Sequence, residues 1–340
     1  MNRINRFLEN ALRTASLAVC LFAFSVYAGQ DNIRFETIGL EQGLSQQNVR
    51  AIHQDSEGFM WFGTQEGLNR FDGYQFKVFS NSLYDTNTIS SSYVSSIDET
   101  SDGKLWLATG AGVSVFDKTT HSFKRYNTFL DGKGGKVIDA LVVYVDSADN
   151  VWVGTSNGLN KYDPVNDSFE YVMLGGIKND KPIRIESIVE DITNGIWIGV
   201  QNHGIYRYDT LTKRFELFND IFEGVNDKVT SSIVKLLVDG EQRLWIGTLG
   251  QGVFVLDLKL PKHPSNTNHL TKVEGLDAVS VRAFYQDVNK TIWIGTNSGL
   301  YAYDKNKQFI EVLRYDITNA KSISDNTISS ICLGWDPRRP

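Results

Sequence analysis

The chain has 340 residues, a formal charge of −6 and a pI near 5.5, so no basic surface argues for a nucleic-acid partner. Its 29 glycines, 6 prolines and 12% aromatic residues suit many short strands joined by tight turns. Two cysteines occur, Cys20 and Cys332.

At the N-terminus, Arg3, Arg6 and Arg13 precede the apolar run Ala15–Val26, and Ala28 offers a small residue for cleavage. The run is short for a bilayer span, so residues 1–28 read as a signal peptide and the mature chain as periplasmic; an uncleaved anchor is the alternative. Cleavage after Ala28 removes Cys20 and leaves no intramolecular disulfide, so the fold must be held by burial.

The next segment, Ile33–Ile38, has the pattern of an outer strand. From Asn48 onward a phrase repeats: "FMWFGTQEGLNRFD", "KLWLATGAGVSVFD", "NVWVGTSNGLNKYD" and three more copies. Trp61, Trp106, Trp152, Trp197, Trp245 and Trp293 mark a spacing of 45, 46, 45, 48 and 48 residues. That matches the roughly 40–50 residues of one four-stranded propeller blade. In the first copy the strands are expected at Asn48–Gln54, Phe59–Thr64, Leu68–Phe71 and Tyr74–Phe79, paired antiparallel as successive hairpins.

The second strand is apolar on both faces, so it must be covered on both sides, as when blades stack. Gly63, Gly154, Gly199, Gly247 and Gly295 share a face with the tryptophans and leave room for a large group of the next blade; Ala108 is the variant. The second glycine (Gly67, Gly112, Gly158, Gly204, Gly252, Gly299) opens the third strand, where a tight turn favours positive φ. The closing aspartates Asp72, Asp117, Asp163, Asp209, Asp257 and Asp304 are placed to accept amides of the next turn. A slot filled six times reads as structural.

These phrases, with the preceding "D-x-x-G", resemble the two-component regulator propeller repeat. "GLSQQNVRAIHQDSEGFMWFGTQEGLNRFDGYQF" resembles the opening of the extracytoplasmic sensor half of hybrid two-component histidine kinases and membrane diguanylate cyclases. The resemblance implies a seven-bladed all-β propeller, a membrane helix beyond it, and kinase or cyclase output that these residues do not contain. "SISDNTISSICL" repeats the entry to the second blade, so Ile328–Leu333 is expected to start a seventh blade after six complete ones. The tail 334–340 departs from the repeat: Trp335 comes early and Pro337 suits no strand interior, so a truncation is expected there. The propeller domain is expected over 29–333.

No P-loop, dinucleotide fingerprint or G-x-S-x-G occurs, and His53, His121, His203, His263 and His269 show no ligand spacing. No catalytic, cofactor or metal residue is assigned, and no enzyme activity is expected of the chain itself. The leading reading is a periplasmic ligand-sensing module of a signal-transduction receptor. A secreted scaffold for protein partners is the alternative, and a propeller lyase or quinoprotein comes third. The turns joining second to third strands share one face around the channel, and there Gln65, Glu66, Asn157, Gln201, Asn202, His203, Gln251 and Asn297 are the candidate ligand contacts. They vary over a constant frame, as a binding face would; ordinary solvated turn residues are the alternative. The implied partners are a small-molecule or carbohydrate ligand and downstream signalling domains.

Overall fold

The computed structural model describes residues 33, 35–127, 139–175, 183–222, 233–259, 270–304 and 309–332. The signal-peptide reading, His263, His269, Leu333 and the tail with Trp335 lie outside the described residues. The chain divides into two compact units, Met1–Glu36 with Asp316–Ser322, and Thr37–Tyr315 with Ile323–Pro340. In the first, Asn319 N–H reaches the Asp316 carbonyl at 3.0 Å, Ser322 N–H reaches Asn319 at 2.9 Å, and Phe35 N–H donates to Lys321 at 3.1 Å. The outer strand expected over Ile33–Ile38 is not formed among the described residues. A strand needs a ladder, and a single bond to a turn does not supply one.

The second unit holds six four-stranded antiparallel blades, each with its strands paired in chain order. They are β1 (Ala51–Gln54), β2 (Met60–Gly63), β3 (Leu68–Phe71) and β4 (Phe76–Phe79); β5 (Val94–Glu99), β6 (Leu105–Thr109), β7 (Gly112–Asp117) and β8 (Ser122–Tyr126); and β9 (Ala140–Val145), β10 (Val151–Thr155), β11 (Gly158–Asp163) and β12 (Ser168–Val172). The second half comprises β13 (Ile185–Glu190), β14 (Ile196–Val200), β15 (Gly204–Asp209) and β16 (Arg214–Leu217); β17 (Ile233–Val238), β18 (Arg243–Thr248), β19 (Val253–Asp257) and β20 (Leu270–Lys272); and β21 (Val281–Gln286), β22 (Ile292–Thr296), β23 (Leu300–Asp304) and β24 (Phe309–Leu313). In blade 1 the expected strands recur with trimmed ends: the first starts at Ala51 rather than Asn48 and the fourth at Phe76 rather than Tyr74.

The first strands β1, β5, β9, β13, β17 and β21 neighbour one another in order, so they surround the central axis. The second strands are buried on both faces, β6, β10 and β14 throughout, as their doubly apolar sequences require. The fourth strands β4, β8 and β16 are half-buried to exposed rims. The core therefore lies in the seams between blades. Trp61 and Leu68 pack with Val94, Leu105 and Leu107 of blade 2, and Trp152 with Ile188 and Ile198 of blade 4.

The glycine beside each tryptophan is explained by the next blade. A Cβ on Gly154 would lie 2.6 Å from Ile185 Cγ2 and 2.8 Å from the Ile185 carbonyl; on Gly63 it would meet Val94 at 2.8 Å, and on Gly247 it would meet Val281 at 2.6 Å. Gly154→Ala is expected to cost about 1–3 kcal/mol through overpacking. Gly199→Ala, whose nearest neighbour is 3.3 Å away, should cost less, and Gly39→Ala, with nothing within 4 Å, almost nothing. Urea midpoints for the three variants test this order.

Ile328 makes the same approach to Gly295, where an added Cβ would lie 2.9 Å from the Ile328 Cγ2, and its N–H donates to the Thr296 carbonyl at 2.9 Å as Val94 N–H does to Thr64. It thus enters where a next blade begins. Over its described residues, 328–332, the expected strand is nevertheless not formed, because the described residues supply no second strand for it to pair with.

The aspartate before each tryptophan fastens two things. Asp146 Oδ1 accepts the amides of Ala148 (3.1 Å) and Asn150 (2.8 Å), and its Oδ2 accepts the Trp152 indole N–H at 2.8 Å. Asp55, Asp191, Asp239 and Asp287 hold Trp61, Trp197, Trp245 and Trp293 in the same way, at 2.7–3.0 Å. In blade 2 Thr100 stands in this position, and the Trp106 indole meets its hydroxyl at 3.2 Å.

The same turns bind each blade to the next. Ser56 N–H and Oγ–H donate to the Glu99 carboxylate, Ser101 to Asp149, and Ser147 to Glu190. Farther round, the Ile192 and Gly240 amides donate to the side chains of Gln242 and Gln286.

Candidate functional site

At the opposite ends of the strands lie the turns joining β2 to β3 and their equivalents. The threonine ending the second strand shapes them: Thr155 Oγ–H donates to the Gly158 carbonyl at 2.9 Å while its oxygen accepts the Asn157 amide at 3.0 Å. Thr64, Thr109, Thr248 and Thr296 do the same with Gly67, Gly112, Gly252 and Gly299. These glycines have φ between 85° and 136°, the left-handed conformation expected of them. A hydroxyl brace and a glycine turn recur while the residues between them change.

The candidate contacts occupy those changing slots. Gln65, Glu66, Asn202 and Asn297 are exposed; Asn157, Gln201, His203 and Gln251 are half-buried. Several also help build the turn. Gln201 N–H donates to the Arg184 carbonyl, the Asn297 carboxamide accepts the Ser280 amide at 3.1 Å, and the His203 carbonyl accepts Asn219 Nδ2 at 2.9 Å. Asn202 sits at φ 64°. The structure thus gathers all eight at one end of the blades, with Gln65, Glu66 and Asn202 the most open to a ligand.

One element of this end was not foreseen. Each of β5, β9, β13, β17 and β21 shifts register by one residue near the turn face, leaving Ser95, Leu141, Glu186, Val234 and Arg282 outside the ladder. Bulges re-aim a side chain at a rim, and here they lie on the strands nearest the axis. Arg282 is exposed, Glu186 pairs with Arg184 at 2.5 Å, and burial pushes the neighbouring Lys235 ammonium down, with Glu186 opposing. Register depends on the partner strand, so the sequence carries no local mark of these bulges. Among the described residues no three His, Cys, Asp or Glu side chains converge as metal ligands.

Two spans, residues 43–66 and 275–298, match the family described as two component regulator propeller. Each span runs from an entering segment through the first and second strands into the braced turn. The chain carries two-component regulator propeller repeats.

A stretch of 76 residues is 42% identical to histidine kinase P4 of Formosa agariphila, covering 22% of this chain and 6% of the kinase. The extracellular domain of the putative one component system BT4673 from B. thetaiotaomicron superposes with a TM-score of 0.70 at 24% identity, over 88% of this chain and 37% of that one. A virginiamycin B lyase from Staphylococcus aureus superposes with a TM-score of 0.59 at 13% identity, over 79% of this chain and 85% of the lyase. The chain therefore spans well under two thirds of the kinase and of the BT4673 domain it matches, and what it shares with the BT4673 domain is the propeller fold. The likeness to the lyase is one of fold.

Proposed function

We propose that this propeller is the ligand-recognising module of a bacterial signal-transduction receptor, working outside the cytoplasm and reporting occupancy to signalling domains of the same receptor. The observation that carries the reading is the turn face. The glycine stays fixed in all six blades and the threonine brace in five, Val200 replacing it in blade 4, while the residues between them change from Gln65-Glu66 to Ala111 to Asn202 and Asn297. A solvated structural turn gains nothing from such variety, whereas a recognition face on a rigid scaffold does. In this reading the domain binds and releases its ligand unchanged.

Thermal-shift screening of the chain against small metabolites and oligosaccharides tests it. One chemical class should raise the midpoint, since a ligand at 100 times its Kd adds about 2.7 kcal/mol. The triple variant Gln65→Ala, Glu66→Ala, Asn202→Gly should lose that rise while keeping the ligand-free midpoint. Chemical conversion of the ligand by the chain, or a rise unaffected by the triple variant, would refute the proposal.

A further inference from the structure

In the other seams between blades a cation stands beside the repeated tryptophan. Lys118 reaches Asp55 and Glu99 below Trp61; Lys161 lies 5.0 Å from the Trp152 ring; Arg207 bonds Asp191 at 2.8 Å and lies over Trp197; and Arg243 bonds Asp239 at 2.7 Å and lies over Trp245. In the seam between blades 2 and 3 two of these sources are gone and the third is paired elsewhere. Val115 faces Trp106 across the strands where Lys161 faces Trp152 and Arg207 faces Trp197. Pro164 follows the closing Asp163 where Lys118 follows Asp117, and Lys104, the counterpart of Arg243, is paired with Asp102. The tryptophan's own acid is replaced as well, by Thr100.

What remains is a cavity of about 570 Å³ with Trp106, Tyr126 and Tyr162 among its walls. The two tyrosine hydroxyls both donate to Asp167, at 2.6 and 2.8 Å, and Lys124 pairs with the same carboxylate. Those partners hold Asp167 down to about 2, while burial and Asp167 push Tyr126 up to about 12, so this corner stays locked across the ordinary pH range. Asp102, Asp117, Asp149 and Asp167 line the space against Lys104 and Lys124, a formal charge of −2.

We propose that this cavity is a binding site for a small organic cation bearing a guanidinium or alkylammonium head, which takes the place of the missing lysine or arginine. The head would lie against the aromatic wall, an arrangement favoured when the cation is desolvated, and would balance the excess carboxylate charge at Asp117 and Asp149. The site is at the other end of the blades from the turn face, and it stands whether or not the sensor reading holds.

Titration calorimetry of the full chain with agmatine tests it, with glucose and glutarate as neutral and anionic controls. Agmatine should bind saturably with one site per chain and the controls should not. Asp149→Asn should weaken it about tenfold, the scale of one charge-assisted contact. Val115→Lys, which restores the sibling cation, should abolish binding with the fold intact by circular dichroism. Pro164→Lys, at an exposed turn position, should weaken it in the same way and keeps the test readable if Val115→Lys fails to fold. No saturable agmatine binding, equal binding of a control, or full affinity in Pro164→Lys would overturn the proposal.

Discussion

Trp152→Ala is expected to lower stability by about 3–5 kcal/mol, the range for deleting a large aromatic from a packed interior. Trp152 is 1% exposed, its indole N–H is spent on Asp146, and its ring meets Tyr208 edge-on at 5.4 Å. Truncation removes apolar surface from the seam between blades 3 and 4 and leaves Asp146 with one acceptor site unused. Tyr84→Ala, at a fully exposed position, should stay within about 0.5 kcal/mol. Urea unfolding of the two variants measures the difference, and equal midpoints would contradict the assignment of the tryptophans to the seams.

Asp191→Ala should be comparably severe. Its carboxylate accepts the Thr193 and Gly195 amides, the Trp197 indole N–H and Arg207 Nε, all within 3.0 Å. Breaking a buried pair of this kind leaves Arg207 uncompensated and costs about 3–5 kcal/mol. The same group gives a pH signature. Burial raises its pKa, but the bonds from Arg207, Thr193, Gly195 and Trp197 outweigh this and hold it at about 2, against 3.8 for an ordinary aspartate. The stabilisation is therefore complete above pH 3.8 and is lost as the pH falls through 2. With its side chain only 6% exposed, the contribution is about 2 kcal/mol. Urea unfolding at a series of pH values should show a shallower loss between pH 4 and 2 for Asp191→Asn than for the native chain, about 2 kcal/mol at most. Parallel curves would remove Asp191 from the account.

Much of the architecture is legible because the repeat prints it six times. The tryptophan spacing gives the blade, the doubly apolar second strand gives stacking, and Gly154 beside Trp152 gives the close approach that Ile185 makes. The braced turn was half legible: the glycine signals positive φ, but the threonine bond to its carbonyl shows only in three dimensions. The constant six-residue step from Asp55 to Trp61, repeated from Asp287 to Trp293, was a readable sign of the indole–carboxylate bond. The bulges were not readable, because register belongs to a pair of strands. Ile33–Ile38 misled because a strand pattern states a propensity, and pairing decides. The cavity of the second seam appears in sequence only as departures, Thr100, Val115 and Pro164, which mean nothing until the seams are laid side by side.

The bonds from Ser56 to Glu99, Ser101 to Asp149 and Ser147 to Glu190 all run one way, donor on the earlier blade and acceptor on the later. Such a head-to-tail contact is heterologous: each blade shows one surface forward and a different one back, as subunits do in a ring assembled from identical copies. An interface of that type fits the next unit whatever the total. The instruction for how many blades make a ring is then absent from any single repeat and resides in the small rotation between neighbours. A blade duplicated or exchanged within such a chain would find its contacts already made, which is how a scaffold of this kind can change its recognition face without redesigning its core.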